Sequence, residues 1–171
     1  DFTIFNSWGR DRLTAGNNSA YVPSAMVTES FFEFFPYEKV AGSFKNALND
    51  GTKIALSEET AKTLFGDEYK NCIGKTVKID GKNNEMFVIT AVYKLPESNS
   101  VFKPGFLLKH PNLLHENEFD KNWTNYSYVG YFKLKPGTDI KLLEKKLSDQ
   151  VWGETKIAMK KWGEKIDENN K

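Results

Sequence analysis

The chain has 171 residues and carries 24 lysines and arginines against 23 aspartates and glutamates, a formal net charge of +1, which points to no polyanionic partner such as nucleic acid. Its single cysteine, Cys72, rules out an internal disulfide and a Cys-x-x-Cys metal or redox motif, and no uninterrupted apolar run approaches the roughly 20 residues that span a bilayer. An aromatic share of 14% is more ring area than a disordered chain hides, and a chain of this length buries about 70% of its unfolded surface without a covalent staple.

Residues 1–18 show no clear periodicity, and the start, Asp1-Phe2-Thr3, has none of the features of a signal peptide. After the turn cluster Gly16-Asn17-Asn18-Ser19, a first strand is expected at Tyr21–Thr28, with Val22 and Met26 among its apolar side chains. The four phenylalanines of Ser30-Phe31-Phe32-Glu33-Phe34-Phe35-Pro36 read as a short helix buried by its rings and ended by Pro36, in preference to an exposed membrane-dipping wedge.

The stretch Ile54–Gly81 holds the densest local information. Ile54 and Leu56 share one face of a short strand, and Ser57 follows as an N-cap able to accept from a free first-turn amide. Glu58 and Glu59 occupy the first turn, where the positive end of the helix dipole favours carboxylates by about 0.3–1 kcal/mol each. They do not read as a catalytic acid pair, because adjacent helical residues diverge by about 100° and no His or nucleophile lies nearby. Ala61, Leu64 and Phe65 form the buried stripe, and Gly66 ends the helix in a left-handed conformation. Ile73-Gly74-Lys75-Thr76 superficially ends like a P-loop. The glycine that motif needs earlier is replaced by Tyr69, and the strand Val77, Ile79 follows where a helix is required. Cys72 is a small turn or core residue.

Val77–Asp80 and Glu85–Tyr93 form a hairpin through residues 81–84, and the β-branched and aromatic content of the second strand makes it central. Phe106-Leu107-Leu108 is a further short strand. The following loop carries His110, His115, Glu116, Glu118 and Asp120, good ligand types for zinc. Two histidines five residues apart with Pro111 between them do not share a helix face, so these are surface loop residues. Trp123, Tyr126, Tyr128 and Tyr131 offer a stacking platform for a sugar or peptide. Alternation places Tyr126 and Tyr128 on one face and Tyr131 on the other of a long aromatic strand, about 126–135. Pro136-Gly137 turns the chain, and Thr138 or Asp139 caps an amphipathic helix with Ile140, Leu143, Leu147 and Val151 on the face that must pack on a sheet. Its continuation through Ile157, Met159, Trp162 and Ile166, interrupted by Gly153, carries Lys156, Lys160, Lys161 and Lys165; a solvated face is the default for these, with anionic lipid headgroups the alternative.

The segment IALSEETAKTLFGDEYKNCIGKTVKIDG closely resembles the middle of MacB-like periplasmic core domains of FtsX-like ABC transporter permeases, where "IALSE.AKKLFG.E.NPIGKT..I.G" is typical. Cys72 stands where that pattern has proline, a change expected to loosen the turn slightly. Phe31-Phe32-Glu33 resembles the family's "FFE.F" element, an anchor between two lobes. Val40–Phe44 resembles "L..G.F", and Val92–Ser100 is similar to "GV..DLPENSH", with Ala91 where glycine is usual. The segments fall in family order and the resemblance covers roughly 20–151.

The resemblance implies an α+β fold: a two-lobed extracytoplasmic domain of mixed sheets and packed helices. Residues 1–30 with 104–171 would form a discontinuous porter-like lobe, and 31–103 a smaller inserted α/β lobe. It implies a bacterial inner-membrane permease with this segment on the extracytoplasmic side, cut from flanking membrane helices, so that the domain is expected to begin upstream of Asp1. The expected partners are a cytoplasmic ABC ATPase subunit, a second permease in a homodimer or heterodimer, and an external accessory protein, with no nucleic acid. The expected role is non-catalytic transmission of conformational change, with no catalytic, cofactor-binding or metal-binding residue and no cofactor. Two other classes remain open from the residues: a secreted ligand-binding module using Trp123, Tyr126, Tyr128 and Tyr131, and an extracytoplasmic hydrolase built on His110 or His115.

Overall fold

The computed structural model describes residues 1–80, 85–97, 100, 102–110 and 128–163, the side chains of Ser7 and Trp8 excepted. β1 (Phe2–Ala15) and β2 (Asn18–Val27) form an antiparallel hairpin in which Ala15 pairs with Asn18. Its two-residue connection places Gly16 at φ +58, a conformation that suits glycine in the first position of a tight hairpin turn. The expected strand at 21–28 therefore starts earlier, and the stretch read as aperiodic is a 14-residue strand. Two features hide it in the sequence. The register slips between Ser7 and Gly9, which reverses the alternation along the strand. Two of its buried positions are polar, Thr3 and Asn6; the Thr3 hydroxyl shares a hydrogen bond of 2.7 Å with the Thr28 hydroxyl.

α1 (Phe31–Phe34) is a single turn with Phe31 fully buried and Phe32, Phe34 and Phe35 half-buried, as the buried-helix reading requires. β3 (Glu38–Gly42) and β4 (Lys53–Ser57) precede α2 (Glu58–Phe65). Ser57 Oγ accepts from the Thr60 backbone N–H at 3.2 Å, the expected cap. Gly66 ends α2 at φ +59, ψ −139. The positive φ was expected, but the ψ lies outside the left-handed helical region, making a sharp corner that glycine tolerates. A 3-10 segment, Gly66–Cys72, leads to a turn. Ile73 (φ −61, ψ 131), Gly74 (φ +82) and the 3.0 Å bond from Lys75 N–H to Cys72 O define it as type II. Gly74 N–H donates to Ile89 O at 2.8 Å and Ile89 N–H to Lys75 O at 2.9 Å. These three backbone bonds hold the turn without a proline at 72. Cys72 itself is fully buried in the core, and burial pushes its thiol pKa up.

β5 (Thr76–Ile79) and β6 (Met86–Lys94) form the expected antiparallel pair, with Val77 opposite Phe87; their connection, 81–84, lies outside the described residues. β6 runs parallel to β4 on one side and antiparallel to β5 and then β3 on the other, which makes it central as expected. β7 (Phe106–Lys109) pairs with both β2 and β4, and β8 (Val129–Phe132) neighbours β1. The pairings β1–β2–β7–β4–β6–β5 return to β1 through Leu13 opposite Ile79, so the six strands make a closed circuit.

That closure explains the two apolar layers. The first takes Leu13, Met26, Phe106, Ile54, Ile89 and Val77, one or more residues from every strand of the circuit, with Ala61 and Leu64 of α2 laid against them. The second takes Ala25, Val27, Leu107, Ala55, Ala91 and Tyr93 from the opposite faces of four of those strands, covered by Phe31 and by Ala47 and Leu48. Strands buried on both faces read as continuous apolar runs, which is why Ile54-Ala55-Leu56 lacks alternation. On β6 the alternation reverses at Thr90, where the β4–β6 register shifts between the Ile54–Ile89 and Ala55–Ala91 pairs. The Thr90 hydroxyl bonds to Ala47 O at 2.8 Å, fastening the covering loop.

α3 (Ile140–Lys161) is capped by Asp139, whose carboxylate accepts from Leu142 N–H at 3.0 Å. It runs unbroken through Gly153, where an interruption was expected. Its stripe is not covered as expected: Ile140 and Leu147 are exposed, while Leu143 and Val151 are only half-buried. Contacts divide the described chain into one compact unit of residues 2–110 with 128–131 and another of Asp1 with 132–163. The lobes expected from the sequence have their borders at 30/31 and 103/104, whereas β1 pairs with β5, and β7 with β4, across those borders.

Candidate functional site

A cleft of about 580 Å³ opens at the end of the β3–β6 ladder, within the size range of ligand sites. The terminal pair of that ladder, Glu38 opposite Lys94, belongs to its lining. Phe35-Pro36-Tyr37 leads into β3 on one wall, and Leu95-Pro96-Glu97 leads out of β6 on the other. Each wall is shaped by a proline, which fixes φ and donates no backbone hydrogen bond.

The aromatic wall is wedged in place. The Phe35 ring lies 4.9 Å from Phe31 and 5.2 Å edge-on from Tyr131. Tyr37 meets Tyr93 edge-on at 5.3 Å, and its hydroxyl donates to Phe102 O at 3.3 Å. Burial pushes the Tyr37 phenol pKa up to about 12. At the rim, Lys94 Nζ stands 2.8 Å from Glu97 Oε1 and 3.9 Å from Glu38 Oε2. The hydrogen bond that Lys94 donates to Glu97 is the first cause of a raised Lys94 pKa, and the same bond lowers that of Glu97. Apolar walls and an ionic rim equip the cleft to bind. Among the described lining residues, the Ser100 hydroxyl donates to Phe102 O at 3.1 Å and not to a carboxylate.

The residues singled out in the sequence are placed as follows. His110 is buried, against the expectation of a surface loop residue, because its backbone N–H continues the sheet by donating to Val27 O at 2.9 Å. Its ring meets Tyr128 edge-on at 5.2 Å. His115, Glu116, Glu118, Asp120, Trp123 and Tyr126 lie outside the described residues. Among the described residues no group of three or more His, Cys, Asp or Glu is placed to hold a metal ion. The expected aromatic strand of about 126–135 is, within the described residues, the four-residue β8; Lys133 N–H still donates to Asp1 O at 3.0 Å, and the chain then turns at Pro136-Gly137. Tyr131 stacks on Phe5 at 5.7 Å as well as meeting Phe35, and it remains 44% exposed.

Glu58 is not one half of an acid pair. Its Oε1 accepts from the Tyr69 hydroxyl at 2.7 Å and from Lys62 at 3.0 Å, and these bonds, Tyr69 first, lower its pKa. The Ile73-Gly74-Lys75-Thr76 run leads into β5, as the rejection of a P-loop required. Sequence reasoning missed the cleft, whose only local sign is a proline at the end of α1 and another at the end of β6; the ladder that brings the two together is non-local.

A family model described as the MacB-like periplasmic core domain matches residues 4–150. A domain assigned to a permease of Porphyromonas gingivalis is 24% identical and superimposes with a TM-score of 0.71 over 87% of this chain and 62% of its own. The periplasmic region of MacB from Actinobacillus actinomycetemcomitans is 18% identical, with a TM-score of 0.59 over 90% of this chain and 66% of its own. The extracellular domain of the ABC-type transporter YknZ from Gram-positive bacteria is 13% identical, with a TM-score of 0.53 over 95% and 76%. The chain thus spans less than two thirds of the first two structures. No curated protein matches the chain. Among the described residues no helix is long and apolar enough to cross a membrane.

Proposed function

Because this chain belongs to the family of MacB-like periplasmic core domains, we propose that it is the non-catalytic lever of an ABC transporter permease, carrying motion between membrane helices and an external partner. The family supplies the periplasmic domains of MacB- and FtsX-like permeases, so its placement is extracytoplasmic. In this reading the permease sits in the bacterial inner membrane, pairs with a second permease, and takes its energy from a cytoplasmic ATPase subunit. An external accessory protein or the substrate receives the motion.

The observation that carries the reading is the closed strand circuit whose enclosed layer draws on all six strands, within the segment that matches the family. A lever must transmit displacement without deforming, and interiors packed at crystal-like density do so. In the intact permease with its ATPase, two spin labels on exposed residues of this domain, at Lys39 and Lys62, are expected to keep their separation during ATP turnover. The distance between equivalent labels on the two paired permeases is expected to change, and deletion of the domain to stop export. Unchanged export after deletion overturns the proposal.

A further inference from the structure

We propose that the cleft between Phe35-Pro36-Tyr37 and Leu95-Pro96-Glu97 is the docking groove for an extended, proline-containing basic segment of an extracytoplasmic partner protein. The inference rests on the lever reading for the existence of such a partner. What it adds is the place and the chemistry of contact.

Three features of the cleft select that occupant. First, the walls are preformed: Phe35 is held between Phe31 and Tyr131, and Tyr37 is pinned at both its ring and its hydroxyl. A ligand entering such a groove does not have to order its aromatic side chains, which removes a cost of association. Second, Pro36 and Pro96 offer no N–H, so these two positions of the walls cannot extend a strand ladder onto the occupant. Recognition therefore falls to ring and proline surfaces, the chemistry by which aromatic grooves take polyproline-type segments, whose backbone is already extended and carries no internal hydrogen bonds. Third, the rim is acidic. Glu38 and Glu97 flank Lys94, and their side chains are 71% and 84% exposed. Two carboxylates against one ammonium leave an excess negative charge, which an arginine or lysine of the occupant complements.

The test uses the 171-residue chain, isotopically labelled, and two synthetic peptides: acetyl-Arg-Pro-Pro-Leu-Pro-Pro-Arg-amide and its counterpart with Glu in place of each Arg. The basic peptide is expected to shift the amide resonances of Tyr37, Lys94 and Glu97, and the acidic one to leave them in place. The exposed pair of substitutions E38Q and E97Q, which leaves the apolar walls intact, is expected to weaken the basic peptide about fivefold while the thermal midpoint stays put. The proposal is overturned by unmoved cleft resonances at millimolar basic peptide, by equal binding of the acidic peptide, or by affinity unchanged in the double variant. Peptide binding in a permease whose export survives domain deletion would sink the lever and keep the groove; lost export without peptide binding would do the reverse.

Discussion

Gly42 lies with its backbone against the carbonyl oxygen of Thr90, at the point where β3 meets the bulge in β6. A Cβ built on Gly42 would collide with that oxygen and also approach Ile73 Cδ1 to 2.9 Å, and the residue holds φ +73. The Thr90 carbonyl is backbone and does not move away cheaply, whereas Ile73 is 38% exposed and its terminal carbon can swing aside. Gly42→Ala is expected to destabilise the domain by about 3 kcal/mol or more. Urea denaturation checks it through a lower midpoint at unchanged slope. A loss below half of that figure would mean the strand edge relaxes around the new methyl.

Tyr93 is fully buried, and its hydroxyl donates to Pro104 O at 2.8 Å within the interior. Tyr93→Phe keeps the ring contacts with Tyr37 and Phe32 but leaves a buried carbonyl without its donor. The expected cost is about 1–3 kcal/mol, the desolvation penalty of an unpaired acceptor. A neutral effect in equilibrium unfolding would show that water reaches the Pro104 carbonyl.

What the sequence made legible was local. The Ser57 cap, the β5–β6 pair and the cap of α3 each depend on residues close to one another in the chain; the first two were expected where they stand, and the third was narrowed to Thr138 or Asp139, of which Asp139 caps. The turn before β5 was expected from the family resemblance. β1 was not, because its polar inward residues Thr3 and Asn6 and its bulge near Ser7 erase the period-two signal; only pairing with β2 defines it. The cleft was hidden for the same reason, since its two walls come from segments some sixty residues apart that meet through the ladder between Glu38 and Lys94. The surroundings of the metal-like loop after His110 fall outside the described residues.

Glu58 ties the first turn of α2 to the following 3-10 segment through Tyr69, and its pKa is lowered below the ordinary 4.5 by that hydrogen bond and then by Lys62. A depressed folded-state pKa means that, below 4.5, the unfolded chain takes up a proton that the folded chain refuses. The stability from this contact is therefore complete above 4.5 and is lost as pH falls through the folded value. Glu58→Gln should be less stable than the parent at neutral pH and converge with it in acid. Urea midpoints followed from neutrality into acid test this, and parallel curves would remove Glu58 from the acid response.

At the alkaline end the same linkage runs in reverse through Tyr37. Its phenol is raised by burial from the ordinary 10 to about 12, so between those values the unfolded chain sheds a proton that the folded chain keeps. The contribution is whole below 10 and disappears as pH climbs toward 12. Buried Tyr93, also raised well above 10, acts in the same direction, as do ion-paired lysines such as Lys94, so the parent alone does not isolate Tyr37. The comparison with Tyr37→Phe does, since the variant keeps the ring and every other titrating group. Its stability should fall less steeply with pH than the parent's across that window, and an ultraviolet titration of the folded parent should lose one late-ionising phenol on substitution. If the two stability curves run parallel from 10 to 12, Tyr37 ionises in the folded protein at its ordinary pH, and the aromatic wall of the cleft is open to water.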